Sequence, residues 1–237
     1  MQNTSDLYKS IRDNPLCSAE TRATFAGVLY EQDRLSPPET SGSLFPDGKP
    51  SVGNCISRQL DLTIFPVGRT IPRMAEIKLE TRLVIKDTLT GEVLQASEWI
   101  PKGTFYIDTR ETDKVTGVMT IHGYDAMLKA EQMLLTETTE DDWPKPMDEV
   151  VTEIAARMGL TLDSRTVVSH AMTVGFPLEY TMRELLGYIA VAHAGNWIIT
   201  DTGQLRLVKL TDTPAETYYL VSEEGDAILF GDTRILI

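Results

Sequence analysis

Residues 97–132, SEWIPKGTFYIDTRETDKVTGVMTIHGYDAMLKAEQ, constrain the fold of this chain more than any other stretch. Trp99–Ile100 leads through Pro101–Lys102–Gly103, read as a turn, into TFYID, where Phe105 and Ile107 share one face at period-two spacing. The polar run from Thr109 to Lys114 makes the return, and Val118–Met119–Thr120–Ile121 is the partner strand. Asp125 then stands where a helix needs an N-cap, its carboxylate free to accept from unpaired first-turn amides. A hairpin running directly into a helix points to a mixed α+β protein with an antiparallel sheet.

The residues on either side extend that reading. Leu60, Leu62 and Ile64 alternate with Asp61 and Thr63 in a half-buried strand that Pro66 and Gly68 end. In 75–86, Ile77, Leu79, Thr81, Leu83 and Ile85 fall on one side, with Glu76, Lys78, Glu80, Arg82 and Lys86 mainly opposite; residues 88–91 turn this strand into 93–99. Residues 1–50 are poorly patterned beyond a plausible strand at 24–30 and a proline-bearing loop at 34–50. A small twisted sheet of this kind closes into a barrel or buries one face.

From Asp125 the spacing of Met127, Ala130, Met133 and Leu134 is read as a helical stripe. An acidic linker, 137–146, separates it from a second stripe of Val150, Val151, Ile154, Ala155 and Met158, stopped by Gly159 at C′. Thr181 and Glu184 form a T-x-x-E capping box before Leu185, Leu186, Ile189 and Ala190, and Gly195 is read as the stop. A hairpin, 196–200 with 204–210, follows, and the tail is β-like again, with 228–230 and 234–237 flanking Gly231–Asp232. The domain reading is therefore 1–125, mostly antiparallel β; 126–210, a small α+β domain; and 211–237, a further β segment.

Three blocks carry a resemblance: 97–99 with 103–108, 123–127 and 129–132; 180–199 with 203–207; and 52–62, VGNCISRQLDL. They closely resemble the tail hub proteins of bacteriophages and prophages of Gram-positive bacteria, relatives of the central hub of contractile baseplates. The resemblance implies a barrel-like first tube domain at 1–125 and, at 211–237, the start of a second tube domain. It implies a structural virion protein: a homotrimeric ring joining a hexameric tail tube, or distal tail protein, to a threefold tip or spike. Genomic DNA would pass through its centre without specific binding, and assembly would take place in the host cytoplasm. The alternatives are the N-terminal part of a tail-associated cell-wall endopeptidase or lysin, and a carbohydrate-binding tail module.

Composition agrees with a structural role. Hydrophobic residues make up 42% and charged residues 24%, ordinary values for a folded chain. With 22 basic against 35 acidic residues the formal charge is −13, which repels the phosphate backbone and argues against a nucleic-acid reader. No apolar run approaches the ~20 residues of a membrane span, and the first residues lack a signal-peptide core, so no membrane partner is expected.

Motifs for chemistry are missing. His122, His170 and His193 belong to no HExxH or HxH pattern, and Cys17 and Cys55 to no CxxC, so neither metal nor other cofactor is expected. The carboxylates at 137–142 and at Asp108, Glu111 and Asp113 lack the alternation and turn glycine of a calcium loop. There is no GxSxG elbow and no glycine-rich phosphate loop, and no catalytic residue is assigned. Trp99, Trp143 and Trp197 could stack on sugars, but their apolar neighbours favour packing. Candidate subunit-interface residues lie on the two alternating strands: Leu60, Leu62, Ile64, Ile77, Leu79 and Leu83.

Overall fold

The computed structural model describes residues 4–25, 27–45, 48–65, 71–134, 142–177, 179–210, 229–230 and 233–234. It is a mixed α+β molecule with two hydrophobic cores. A short helix, α1 (Asp6–Arg12), is capped by Ser5 and leads to β1 (Cys17–Phe25) and β2 (Val28–Tyr30), joined through Gly27. Next come β3 (Glu39–Ser41), β4 (Gln59–Ile64), β5 (Glu76–Lys86), β6 (Val93–Ala96), β7 (Ile100–Thr112) and β8 (Met119–Asp125). All pairings among them are antiparallel, in the order β2-β1-β5-β7-β8-β4-β3, with β6 alongside the far end of β5.

One face of this sheet gathers Ala23, Phe25, Leu60, Leu62, Ile64, Ile77, Leu79, Phe105, Ile107 and Ile121 into a core. No pairing among the described residues joins the two ends of the sheet, so it is an open sheet and not a closed barrel. α1 packs against β5 and β6, and Val84 of β5, which alternation alone assigns to the polar side, is fully buried outside that core.

Two local expectations change. Pro101–Lys102–Gly103 is not a turn: β7 runs through it, and the register against β5 slips by one residue between Leu79 and Glu80. The extra residue of a bulge produces that slip, which explains turn-like residues inside a strand. The hairpin tip lies at 113–117, beyond the run at 109–112, which is still paired with β8.

The second core begins at Asp125, which caps as expected, but the segment after it, Ala126–Glu131, is a 3-10 helix. Met127 and Ala130 are three residues apart, the spacing that eclipses in a 3-10 turn, and both are buried, whereas Met133 is exposed beyond its end. β9 (Lys145–Pro146) pairs with β10 (Thr173–Val174), and between them α2 (Met147–Met158) ends on Gly159 at φ 72. Lys129 Nζ reaches the Met158 carbonyl at 3.0 Å, placing a cation on the negative end of α2. α3 (Met182–Ala192) carries the capping box in full. It stops two residues before Ala194, whose φ of 50 makes the left-handed bend; Gly195 instead opens β11 (Gly195–Ile199), paired with β12 (Leu205–Lys209). A Cβ on Gly195 would lie 2.8 Å from the Val208 carbonyl oxygen, so the sheet and not the cap requires glycine there.

β13 (Leu229–Phe230) and β14 (Thr233–Arg234) form a small hairpin. The linker positions 135–141 and the rest of 211–237 lie outside the described residues.

Candidate functional site

The three resembling segments are far apart in the chain and meet at one place, the joint between the two cores. Residues 53–56 run beside β11: Gly53 N donates to Gly195 O, Trp197 N to Asn54 O and Ile56 N to Trp197 O, at 2.8–2.9 Å. A strap from the first half thus extends the small hairpin of the second.

Asn196 fastens the strap. Its fully buried side chain donates to Ser51 O (2.7 Å) and Leu44 O (3.2 Å), and accepts from Asn54 N (2.9 Å) and Asn54 Nδ2 (3.1 Å). All four hydrogen-bonding positions of the amide are engaged. Trp197, also fully buried, donates from Nε1 to Leu186 O at 2.8 Å. Arg183 Nη1 donates to Cys55 O (2.8 Å), and its guanidinium pairs with Glu131 (2.5 Å).

Asp125 anchors the other side. One carboxylate oxygen accepts from Met127 N (3.0 Å) and Ser57 Oγ (3.4 Å), the other from Arg58 N (3.0 Å). Burial nevertheless pushes this carboxyl above its ordinary range, against the lowering by those donors and by Arg58. The Arg58 guanidinium pairs with Asp201 and lies 5.5 Å from the Phe105 ring. Gly103, at φ 140, makes room for it: a Cβ would meet Arg58 Nη2 and Phe105 Cε2 at 2.8 Å.

Cavities of about 890 and 730 Å³ flank the strap. The larger lies between the strap and α3, beside Arg183, Tyr188 and Val191; the smaller is walled by Trp99, Pro101, Arg165, Asp201 and Arg206.

The remaining candidates have structural duties. Trp99 has the guanidinium groups of Arg22 and Arg82 at 4.3 and 4.6 Å from its ring centre, and Trp143 packs against the second core. His122 pairs with Asp61 and His170 with Asp148. His193 Nε2 accepts from Ser169 N at 2.9 Å, so Nδ1 carries the proton and donates to Ile189 O at 2.8 Å. Among the described residues no group of three or more His, Cys, Asp or Glu is placed to hold a metal ion. The Asp113 carboxylate folds onto its own turn, while 137–141 lie outside the described residues.

Leu60, Leu62, Ile64, Ile77 and Leu79 are buried in the first core, and Leu83 is half-buried. β5 is not an edge strand, as it lies between β1 and β7, and β4 lies between β8 and β3. Among the described residues, 17–22 of β1 pair only with β5, and β3 pairs only with β4; alternation within β4 and β5 gave no sign of which strands end the sheet.

No family model matches the chain, and no curated protein matches it. Solved structures that share its fold include two tail proteins. The 43 kDa tail protein of prophage MuSo2 from Shewanella oneidensis is 15% identical with a TM-score of 0.53, over 90% of this chain and 61% of that one. A tail protein from Neisseria meningitidis MC58 is 11% identical with a TM-score of 0.51, over 80% and 51%. The chain therefore spans between half and two thirds of the length of these proteins.

Proposed function

We propose that this chain is a structural component of a phage or prophage tail, acting by shape and not by catalysis. The observation that carries the reading is a fold shared with a prophage tail protein over 90% of the chain, built on a sheet whose two ends are not paired with each other among the described residues. In the finer form of the proposal it is a tail hub. Three copies make a ring at the tail tip, between the tail tube or distal tail protein and the tip or spike. Residues 1–125 serve as the first tube domain, 126–210 as the α+β domain beside it, and 211–237 as the start of a second tube domain.

Open strand edges are hazardous in an isolated molecule and useful in an assembly, because they pair with another strand. Residues 17–22 of one copy and β3 of the next are the edges available for this. Leu60, Leu62, Ile64, Ile77, Leu79 and Leu83 then act from behind, holding the adjoining strands in register. The formal charge of −13 suits a wall past which DNA must slide without sticking.

The test is the mass of the purified protein in solution, followed by averaged electron images. A threefold ring with an open centre is expected. A monomer at every concentration, or cleavage of peptidoglycan by the purified protein, would overturn the proposal.

A further inference from the structure

Strand β3 is held by a ladder with like charges in it. Its three residues are all exposed and, among the described residues, pair only with β4: Glu39 opposite Asp61, Thr40 opposite Leu60 and Ser41 opposite Gln59. Asp61 in turn stands opposite His122 on β8. Glu39, Asp61 and His122 therefore make one row across three neighbouring strands. The row lies on the face away from the core, since Leu60 and Leu62, on either side of Asp61, are buried.

Side chains directly opposed on antiparallel strands stand ~4.5–5.5 Å apart at Cβ, close enough for like charges to destabilise the pair. Glu39 has no ion-pair partner among the described residues. Asp61 has His122, whose Nδ1 is 2.6 Å from its Oδ1. A neutral imidazole can donate that hydrogen bond, but only the protonated ring brings a positive charge. Tyr124 meets the same ring edge-on, with 4.9 Å between centres, and steadies it beside Asp61.

The other charged groups around the row supply no cation. On β7, Thr109 is opposite His122, Glu111 is opposite Thr120, and Asp108 sits at the bulge before Thr109. Arg110 is opposite the buried Ile121 and so belongs to the core side. Among the described residues on this face of β3, β4, β8 and the 109–112 part of β7, His122 alone can carry positive charge.

The row thus has two charge states. With His122 neutral it holds two negative charges, and Glu39 repels Asp61. With His122 protonated, Asp61 is matched and the field at Glu39 falls. Histidine is the side chain that changes charge between about pH 5 and 8, a window in which ordinary carboxylates stay ionised. Exposed charges act weakly, but β3 has three residues and one partner strand, so a weak term changes how long it stays paired.

We infer that β3 is a pH-sensitive edge, which lies more firmly on β4 when His122 is protonated and frays as His122 loses its proton. Repulsion between Glu39 and Asp61 drives the fraying, and His122 relieves it. β3 is also one of the two edges assigned above to ring closure, so the protonated form presents the better ordered edge; the device itself does not require the ring.

Amide hydrogen exchange of residues 39–41, followed by NMR on the full chain and corrected for the pH dependence of intrinsic exchange, tests this. Protection at about pH 6 should exceed that at about pH 8 by about two- to fivefold, the factor expected of one cross-strand charge pair. His122→Gln keeps a hydrogen-bonding side chain without the charge and should show the lower value at both pH values. Asp61→Asn and Glu39→Gln each remove the repulsion and should show at least the higher value at both. Sodium chloride at about 0.5 M should raise the value of the unaltered chain at pH 8 by screening. Circular dichroism checks that each variant is folded. Equal protection of the unaltered chain at both pH values, a pH response that survives in His122→Gln, or no gain in Glu39→Gln at pH 8 would overturn the inference. None of these results bears on the ring, which is read from mass and images.

Discussion

Replacing Asn196 with alanine removes the amide that ties the strap to β11. Four bonds go with it: two donated to the carbonyls of Ser51 and Leu44, two accepted from Asn54. A neutral hydrogen bond contributes about 0.5–1.5 kcal/mol net, and a buried group left unpaired costs about 1–3 kcal/mol. Ser51 is exposed and Asn54 half-buried, so water can reach some of the abandoned groups, and the loss should settle at about 2–4 kcal/mol. With a urea slope near 3 kcal/mol/M, the midpoint followed by tryptophan fluorescence should fall by about 1 M. Asn54→Ala removes only a side-chain arm of the same cluster and should cost about 1 kcal/mol or less. Asn196→Asp keeps the acceptor toward Asn54 but sets oxygen against the carbonyls of Ser51 and Leu44, so it should be more damaging at pH 7 than at pH 4. If Asn196→Ala shifts stability by under about 0.5 kcal/mol, or if Asn54→Ala costs as much, the strap is not held as described.

Two further outcomes follow from the same geometry. Gly103→Ala forces a side chain into a φ of 140 and against Arg58 and Phe105, so thermal unfolding should come several degrees earlier, a loss of about 1–3 kcal/mol. Asp163, bonded to Arg165 and further lowered by Arg206, is held down to about 2, below its ordinary 3.8. A carboxylate lowered in the folded state stabilises above its unfolded value and loses that contribution as pH falls through the folded one. The advantage of the protein over Asp163→Asn should therefore be full above about pH 4 and shrink toward pH 2; a difference constant over that window would contradict the Asp163–Arg165 bond.

Strong local rules were readable from the residues alone. Asp125, Gly159 and the Thr181–Glu184 pair sit at helix ends as capping chemistry requires, and β4, β5, α2 and the β11–β12 hairpin follow their periodicity. The first fifty residues were opaque for a physical reason. β1 buries only Ala23 and Phe25 and leaves its first six residues half-buried or exposed, so it shows little hydrophobic contrast, and α1 is only seven residues long. Gly195 misled because a glycine after a helix suggests a stop, while its actual constraint comes from a strand across the hairpin. The joint could not be read in advance: Asn196 and Asn54 are 142 positions apart, and nothing local reveals their contact.

The strap also bears on how such molecules can be cut and recombined. Residues 53–56 are made early, yet they finish a sheet whose other members arrive about 140 positions later. Producing residues 126–210 on their own, without the strap, would strip β11 of its outer neighbour and leave Asn196 facing solvent, inviting the bare strand to stick to its like. Inheritance of the two halves as one piece, and not the shuffling of free modules, is what this interleaving favours.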